Sequence, residues 1–419
     1  MKKKLRVMTG LSKKTVGIIT VLCILFTTSA LFGTDLQVPS NYSEPNAGTE
    51  GNPFLISNLG NLRWLSETPE AWGSEDVKLY FLQTADIDAS DTANWNEGEG
   101  FSPIALWMYE RTTNSETGEV KINGTANPFF GNYDGNHFAI YNLYINPKYD
   151  ESTFKYIGFF SVLYNATISN LWLVNFSIKS DYTTGGLAGA TNNSTIETCF
   201  TSGMVTVGEK AEHVGGLAGV SASTNIQSSG SYVIIDGTDR FGHPEVEDSD
   251  FGTLGGLVGS LYRTSQLINS YFNGEIRRIA MFSGGLVGFV ASNSVIENCY
   301  TTTRVRLHDR IFYSNNYFFC DYQPRILDTS KMRFGGIAGS VLAGSSVLNS
   351  FWNKETMGLK NATYHSHTFF WFLDKSLRTA KGITTAQMKK ASAYKRRGWD
   401  FDTIWGIDPK INGGFPHLK

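Results

Sequence analysis

The residues whose types could do chemistry are few and widely spread along the chain. Two histidines lie one residue apart, His365 and His367. Zinc peptidase chemistry needs a His pair one helical turn apart with a Glu base, and no H-E-x-x-H stretch occurs. Glycoside hydrolysis needs two carboxylates facing each other across a groove, and the candidates are Asp86, Asp88, Glu97, Glu99 and Asp134. On one strand Asp86 and Asp88 share a face, which would also suit Ca²⁺. Glu197 and Glu297 share a position in the repeat described below but sit three repeats apart, too far to act as a pair. Solvated turn carboxylates account for these acids better, so the sequence assigns no catalytic residue, no metal site and no cofactor.

Binding chemistry is better represented. Residues 236–252 are acidic, with Asp236, Asp239, Glu245, Glu247, Asp248 and Asp250, whereas residues 304–333 are basic and aromatic. Within the second segment Arg306, Arg310, Tyr313, Tyr317, Phe318 and Tyr322 are candidate binding residues, joined by Trp371 from a third aromatic stretch. Arg and exposed rings are common binding anchors, including for flat sugar faces. A glycan or an extracellular protein is the ligand class they suit. The plainer alternative folds the same rings back onto the core as a lid, since many exposed rings are a solubility hazard.

Those segments interrupt a repeat. A Gly-Gly-apolar-small-Gly unit occurs at 185–189, 215–219, 255–259, 284–288 and 335–339. About ten residues later comes an aliphatic residue, a spacer, a small polar residue, one more residue and usually an aromatic. Examples are Ile168-Ser-Asn170-Leu-Trp172, Leu267-Ile-Asn269-Ser-Tyr271, Ile296-Glu-Asn298-Cys-Tyr300 and Val347-Leu-Asn349-Ser-Phe351. Counting Ile140 as an upstream copy, the aliphatic positions 140, 168, 196, 226, 267, 296 and 347 are 28, 28, 30, 41, 29 and 51 residues apart. The two long steps read as the same period with loops inserted.

Each repeat holds short Val/Ile/Thr/aromatic runs bounded by Gly or Asn and no stretch long enough for a crossover helix. The expected fold is all-β: a right-handed parallel β-helix (solenoid) of coils about 28 residues long, with short helical caps at both ends. Asn170, Asn269, Asn298 and Asn349 are expected to stack as an amide ladder along the axis. The Gly pairs are expected to supply either positive φ at sharp corners or close approach between coils.

With these residues in view, the chain resembles bacterial cell-surface proteins that carry the GLUG motif. The residues that carry the resemblance are Gly186-Leu187-Ala-Gly189, Gly216-Leu217-Ala-Gly219, Gly256-Leu257-Val-Gly259 and Gly285-Leu286-Val-Gly288, with Gly336-Ile-Ala-Gly339 departing by Leu to Ile. The resemblance spans roughly residues 130–360. It implies an exported, adhesin-like surface protein and assigns no catalytic residue.

The ends fit that picture. A basic stretch to Lys14, an apolar run over 16–26 and small residues to Ala30 read as a signal peptide over 1–33. A rival reading makes Cys23 a lipidated first residue, but Leu22 just before it is large for that processing. Residues 34–130 are expected to form an N-terminal cap with irregular first coils, 131–375 the repeat region, and 376–419 a C-terminal cap. Asn58 to Ser66 suits a short helix, and Thr384-Thr-Ala-Gln387 reads as a capping box opening a helix through about Tyr394. The acid-free first 30 residues carry six cations, so the remainder sets 30 basic residues against 38 acidic ones. A chain of that sign offers no general field for nucleic acid or anionic membrane, and no later stretch reaches the ~20 apolar residues a membrane span needs. The three later cysteines, Cys199, Cys299 and Cys320, are too few and too scattered to be a disulfide framework. The alternative function is a carbohydrate-active β-helix enzyme, a polysaccharide lyase or glycosidase. Oligomeric state is not readable from the sequence.

Overall fold

A computed structural model describes residues 34–113, 120–150, 153–208, 210–237, 252–277, 280, 282–306, 334–363 and 379–419. The expected export segment, the His365/His367 pair, and Arg310, Tyr313, Tyr317, Phe318, Tyr322 and Trp371 lie outside the described residues.

The chain winds in four-strand turns. From Thr167–Ser169 it continues through Trp172–Ser180, Thr183–Gly185 and Ala188–Asn192, after which Thr195–Glu197 lies parallel and in register beside Thr167–Ser169. Repetition of this rung builds sheets of nine, thirteen, eight and six strands. Their pairing is parallel except where the hairpin of Leu106–Thr113 and Val120–Asn127 joins the eight-stranded sheet. The architecture is therefore all-β and β-helix-like.

Register stacks like on like. Phe54, Phe81, Tyr133, Ile168, Ile196, Ile226, Leu267, Ile296 and Val347 form one inward row along the nine-stranded sheet, none more than 7% exposed. Burying one such side chain is worth about 1.5–3 kcal/mol. The row shows that Ile140 is not an upstream copy of Ile168. Ile140 pairs with Ile87 and Leu173 in the thirteen-stranded sheet, and the partner of Ile168 is Tyr133, 35 residues before it. The spacing of 28 before Ile168 joined residues from two different sheets. The copy at Ile226 is in register despite its altered motif, and Gly230 fills its aromatic slot because the Tyr271 ring lies over it.

The Gly pairs act by close approach. A methyl group on Gly185, Gly215, Gly255, Gly284 or Gly335 would collide with the carbonyl oxygen of Ala188, Ala218, Val258, Val287 or Ala338 respectively, and none of these glycines has positive φ. Behind each pair Leu187, Leu217, Leu257, Leu286 and Ile337 are fully buried; the first four amides each donate to the next rung's carbonyl at 2.9 Å, and the Ile337 amide donates to the Ala362 carbonyl at 2.8 Å.

Positive φ belongs instead to the polar residue of the second signal. Asn170, Asn269, Asn298 and Asn349 have φ between 46 and 52°, and Thr198 and Ser228 occupy the same corner at 53 and 48°. Asn is favoured there because its short side chain tolerates the left-handed region. The expected amide ladder at these four residues does not form. Their backbone amides carry the contact between rungs, as from Asn269 to the Glu297 carbonyl at 3.1 Å, and Asn298 Oδ1 has no hydrogen-bond partner. Amide-to-amide rungs occur at other corners, Asn175 to Asn142 at 2.7 Å and Asn193 to Asn165 at 2.5 Å.

Short helices stand at both ends. The first helix is Leu59–Glu67, its amide at Asn61 bonded to the Asn58 side chain, with Leu59, Leu62, Trp64 and Leu65 buried. At the other end Lys381–Ile383 adds a parallel strand to Phe351–Asn353. The capping box at Thr384 and Gln387 is present, but it opens only Thr385–Met388, and a separate helix runs Ala391–Lys395. The aromatic tail lies along the flank of the last rungs: Tyr394, Trp399 and Trp405 pack with the stacked Tyr271 and Tyr300 and with Phe351. Trp399 Nε1 donates to the Asn349 carbonyl at 2.7 Å, and the Tyr300 hydroxyl to the Pro416 carbonyl at 2.5 Å.

Candidate functional site

Only Arg306 among the seven predicted binding residues lies within the described chain. It is exposed, and its amide donates to the Ile276 carbonyl at 2.9 Å. Arg304–Val305 pairs with Glu275–Ile276, so Arg304 and Arg306 belong to a rung, not to the insertion. Likewise Ile234–Gly237 pairs with Met204 to Val207, which shortens the first insertion from its expected start at Asp236.

The two insertions share an edge of the fold. The chain leaves the thirteen-stranded sheet after Gly237 and after Arg306, and returns to the eight-stranded sheet at Thr253 and Phe334. Between the two rungs lies a third, with Glu275–Ile276 and Phe282–Gly284 in the corresponding sheets. The stacking gathers opposite charges at the roots of the insertions. Arg277 bonds Glu275 at 2.7 Å and Asp236 at 3.2 Å, and Arg306 approaches Glu275 at 3.8 Å. Each such half-exposed pair is worth about 0–1 kcal/mol, enough to align adjacent rungs but not to drive binding.

Farther down the same sheet the outward aromatic row is open. Trp172 is 39% exposed and meets Phe200 edge to face at 5.9 Å. In register above them are Gly230, Tyr271, Tyr300 and Phe351, of which the last three are covered by the tail. Sequence reasoning missed Trp172 as an exposed ring because it stands in the repeat's aromatic slot, which the tail buries elsewhere.

The three candidate aspartates accept backbone amides. Asp86 accepts the Ala139 amide at 2.8 Å, and Asp134 accepts the Asn136 amide at 2.8 Å and the Asn170 side chain at 3.0 Å. Asp88 accepts from Asn142 and the Ser90 amide, both at 3.0 Å, and these bonds hold its carboxyl below the usual range. Glu97 and Glu99 pair with Lys148. Glu197 and Glu297 do lie in one row, separated by the rungs of Gln227 and Ile268. Among the described residues no three His, Cys, Asp or Glu side chains converge in a metal-binding group, and no helix is long and apolar enough to cross a membrane.

The interior hides a second polar system. Cys199 and Cys299 are fully buried and donate to carbonyls of Glu197 and Glu297, and burial pushes each thiol up to about 12. His213, mostly buried between Thr253 and Ser260, is pushed down to about 4 by the same desolvation.

No family model matches the chain. Halomucin of Haloquadratum walsbyi is 31% identical over 190 residues, which is 45% of this chain and 2% of halomucin. A "Putative Gly-rich membrane protein" of Evansella cellulosilytica is 34% identical over 88 residues, 20% of this chain and 8% of that protein. The chain thus spans a small fraction of the length of the curated relatives it matches. A solved structure described as a "putative immunoglobulin A1 protease" from Bacteroides ovatus is similar over 89% of this chain and 94% of that one, with a TM-score of 0.53 and 17% identity. At that identity the likeness is one of fold.

Proposed function

We infer that this chain is an exported repeat protein displayed at or released from the cell surface, a right-handed parallel β-solenoid of GLUG type working as an adhesin-like or structural interaction scaffold. The observation that carries the reading is the unbroken parallel register of the nine-stranded sheet from Phe54 to Leu348. Such a stack repeats its outward side chains along its length. The leader-like residues 1–33 support export. Similarity to halomucin and to a protein named as a Gly-rich membrane protein supports a place at the surface. The competing reading, a polysaccharide lyase or glycosidase, is less favoured because Asp86, Asp88 and Asp134 are engaged as acceptors for backbone and amide groups and Glu197 and Glu297 are not neighbours.

The test has two arms. Antibody or protease applied to intact cells should reach the chain, or the chain should be recovered from the medium; retention in the cytosol overturns the reading. Residues 34–419, applied to arrays of glycans and extracellular proteins, should bind without turnover. Release of reducing or unsaturated sugar ends would instead establish the enzyme.

A further inference from the structure

The outward face of the nine-stranded sheet carries a polar track. In its three-residue strands the middle side chain points inward and the two flanking ones are half-exposed. Four successive rungs present Asn132 with Asp134, Thr167 with Ser169, Thr195 with Glu197, and Asn225 with Gln227, in two in-register rows. None of the eight is Lys or Arg. Gln227 donates to Glu197 at 2.7 Å and Asn170 donates to Asp134 at 3.0 Å, so both carboxylates are held as fixed acceptors. At its N-terminal end the track opens into a hollow of about 350 Å³ among Glu50, Tyr80, Asn132, Asp134, Thr167 and Ser169. Tyr80 precedes Asn132 in the same row and brings a half-exposed ring to that end.

This pattern selects among polymers. An anionic chain would meet carboxylates and no cation. A cationic chain would find no two adjacent rungs of the track with acids. A neutral, hydroxyl-rich chain meets a hydroxyl, amide or carboxylate side chain on every rung and a ring to stack on at the end. Adjacent strands stand about 4.8 Å apart, close to the length of one hexose in an extended glycan, so ligand and protein repeat in step.

We propose that this track binds an uncharged, unbranched polysaccharide, one hexose per rung, with its last sugar seated over Tyr80 in the hollow. The proposal rests on the interaction-scaffold reading and names its ligand class.

The test titrates residues 34–419 with neutral gluco-, manno- and galacto-oligosaccharides from disaccharide to octasaccharide, with polygalacturonate and oligolysine as charged competitors. Affinity for one neutral series should climb with length until the oligomer covers the track, then level off. Tyr80→Ala and Thr195→Arg should each weaken it roughly tenfold, the scale of one lost contact. Gln227→Ala provides a milder variant should either of these fail to fold by circular dichroism. Preference for either charged polymer, no neutral binding, or neutral binding indifferent to every folded variant overturns the proposal. Display on intact cells with capture of a protein ligand but of no neutral glycan would sink the track and leave the scaffold reading standing. Neutral binding through Thr195 by a chain retained in the cytosol would do the reverse.

Discussion

The amide of Cys199 donates to the hydroxyl of Ser229, one rung away, at 3.1 Å. The same bond recurs from Ser229 to Ser270 at 3.2 Å, from Ser270 to the thiol of Cys299 at 3.4 Å, and from Cys299 to Ser350 at 3.1 Å. A parallel series at the opposite corner joins Ala166 to Ser194, Thr224 to Ser265 and Ser294 to Ser345. At these positions the amide is met by a side-chain oxygen or sulfur instead of a backbone carbonyl, so a small buried acceptor on the next rung satisfies it. Ser229→Ala should therefore cost about 1–3 kcal/mol, the penalty of an unpaired buried amide. Cys299→Ser keeps an acceptor in place and should stay within about 1.5 kcal/mol. Urea unfolding of both variants checks this; equal losses would mean that volume, not the hydrogen bond, matters at this row.

The two thiols in that row should also be inert in the native chain. Burial holds each near 12, far above neutral pH, and only the thiolate is nucleophilic. In a Cys320→Ser background lacking the leader, a maleimide at pH 8 should leave native protein unlabelled and modify both cysteines once denaturant unfolds it. Rapid native labelling would show that the corner opens.

The corner glycines give a sharper contrast. Gly255→Ala would drive a methyl group into the Val258 carbonyl, with Val287 Cα and the Leu286 carbonyl only 2.6 Å away. Backbone lines that site on all sides, so the chain must shift, and loss of folded protein or several kcal/mol is expected. Gly358 has nothing within 4 Å and φ of +67°, so Gly358→Ala should cost only about 1–2 kcal/mol of left-handed strain. Thermal melts of the pair decide whether close approach is the reason for the glycines.

Where sequence reasoning succeeded, a local pattern and a global one coincided. Ile168, Ile196, Ile226, Leu267, Ile296 and Val347 recur in sequence because each fills the same inward slot. Ile140 misled because an aliphatic residue two before Asn142 also stands ahead of a left-handed corner, Asn142 at φ 59°, but in a different sheet. Periodicity alone cannot tell one corner from another. The role of Asn170 was misread for a related reason: Asn suits both an amide ladder and positive φ, and only backbone angles separate the two. The hydroxyl rows were invisible since Ser, Thr and Cys read as generic small residues. At the candidate site, the row of Thr167, Thr195 and Asn225 was legible as outward-facing only after register placed its members side by side.

The aromatic tail should hold the last rungs together. Trp399 packs on Trp405 and Tyr394, both at 4.7 Å, and on Phe351 at 5.7 Å, besides its bond to the Asn349 carbonyl. Trp399→Ala is expected to cost about 3–5 kcal/mol. Because the damage is local to the C-terminal end, proteolysis should begin there, and a first cut elsewhere would count against the tail as a clamp.

Stability should also fall on mild acidification through His213. Its Nδ1 lies 2.8 Å from Thr253 Oγ1 and 3.1 Å from Ser260 Oγ, hydroxyls that can donate to a neutral ring. The ring packs edge to face against Tyr262 at 6.3 Å, and desolvation lowers its folded value from 6.5 to about 4. Between those two values the unfolded chain binds a proton that the folded chain does not, so the contribution is fully present above 6.5 and is lost as pH falls toward 4. The loss amounts to at most about 3 kcal/mol. In His213→Gln that proton difference is gone, so the variant's unfolding free energy should vary less over this window than the wild type's. Urea titrations at pH 7, 5.5 and 4 measure the difference directly, and parallel curves for the two proteins would show that His213 takes up its proton equally in the folded and unfolded chain, which overturns the prediction.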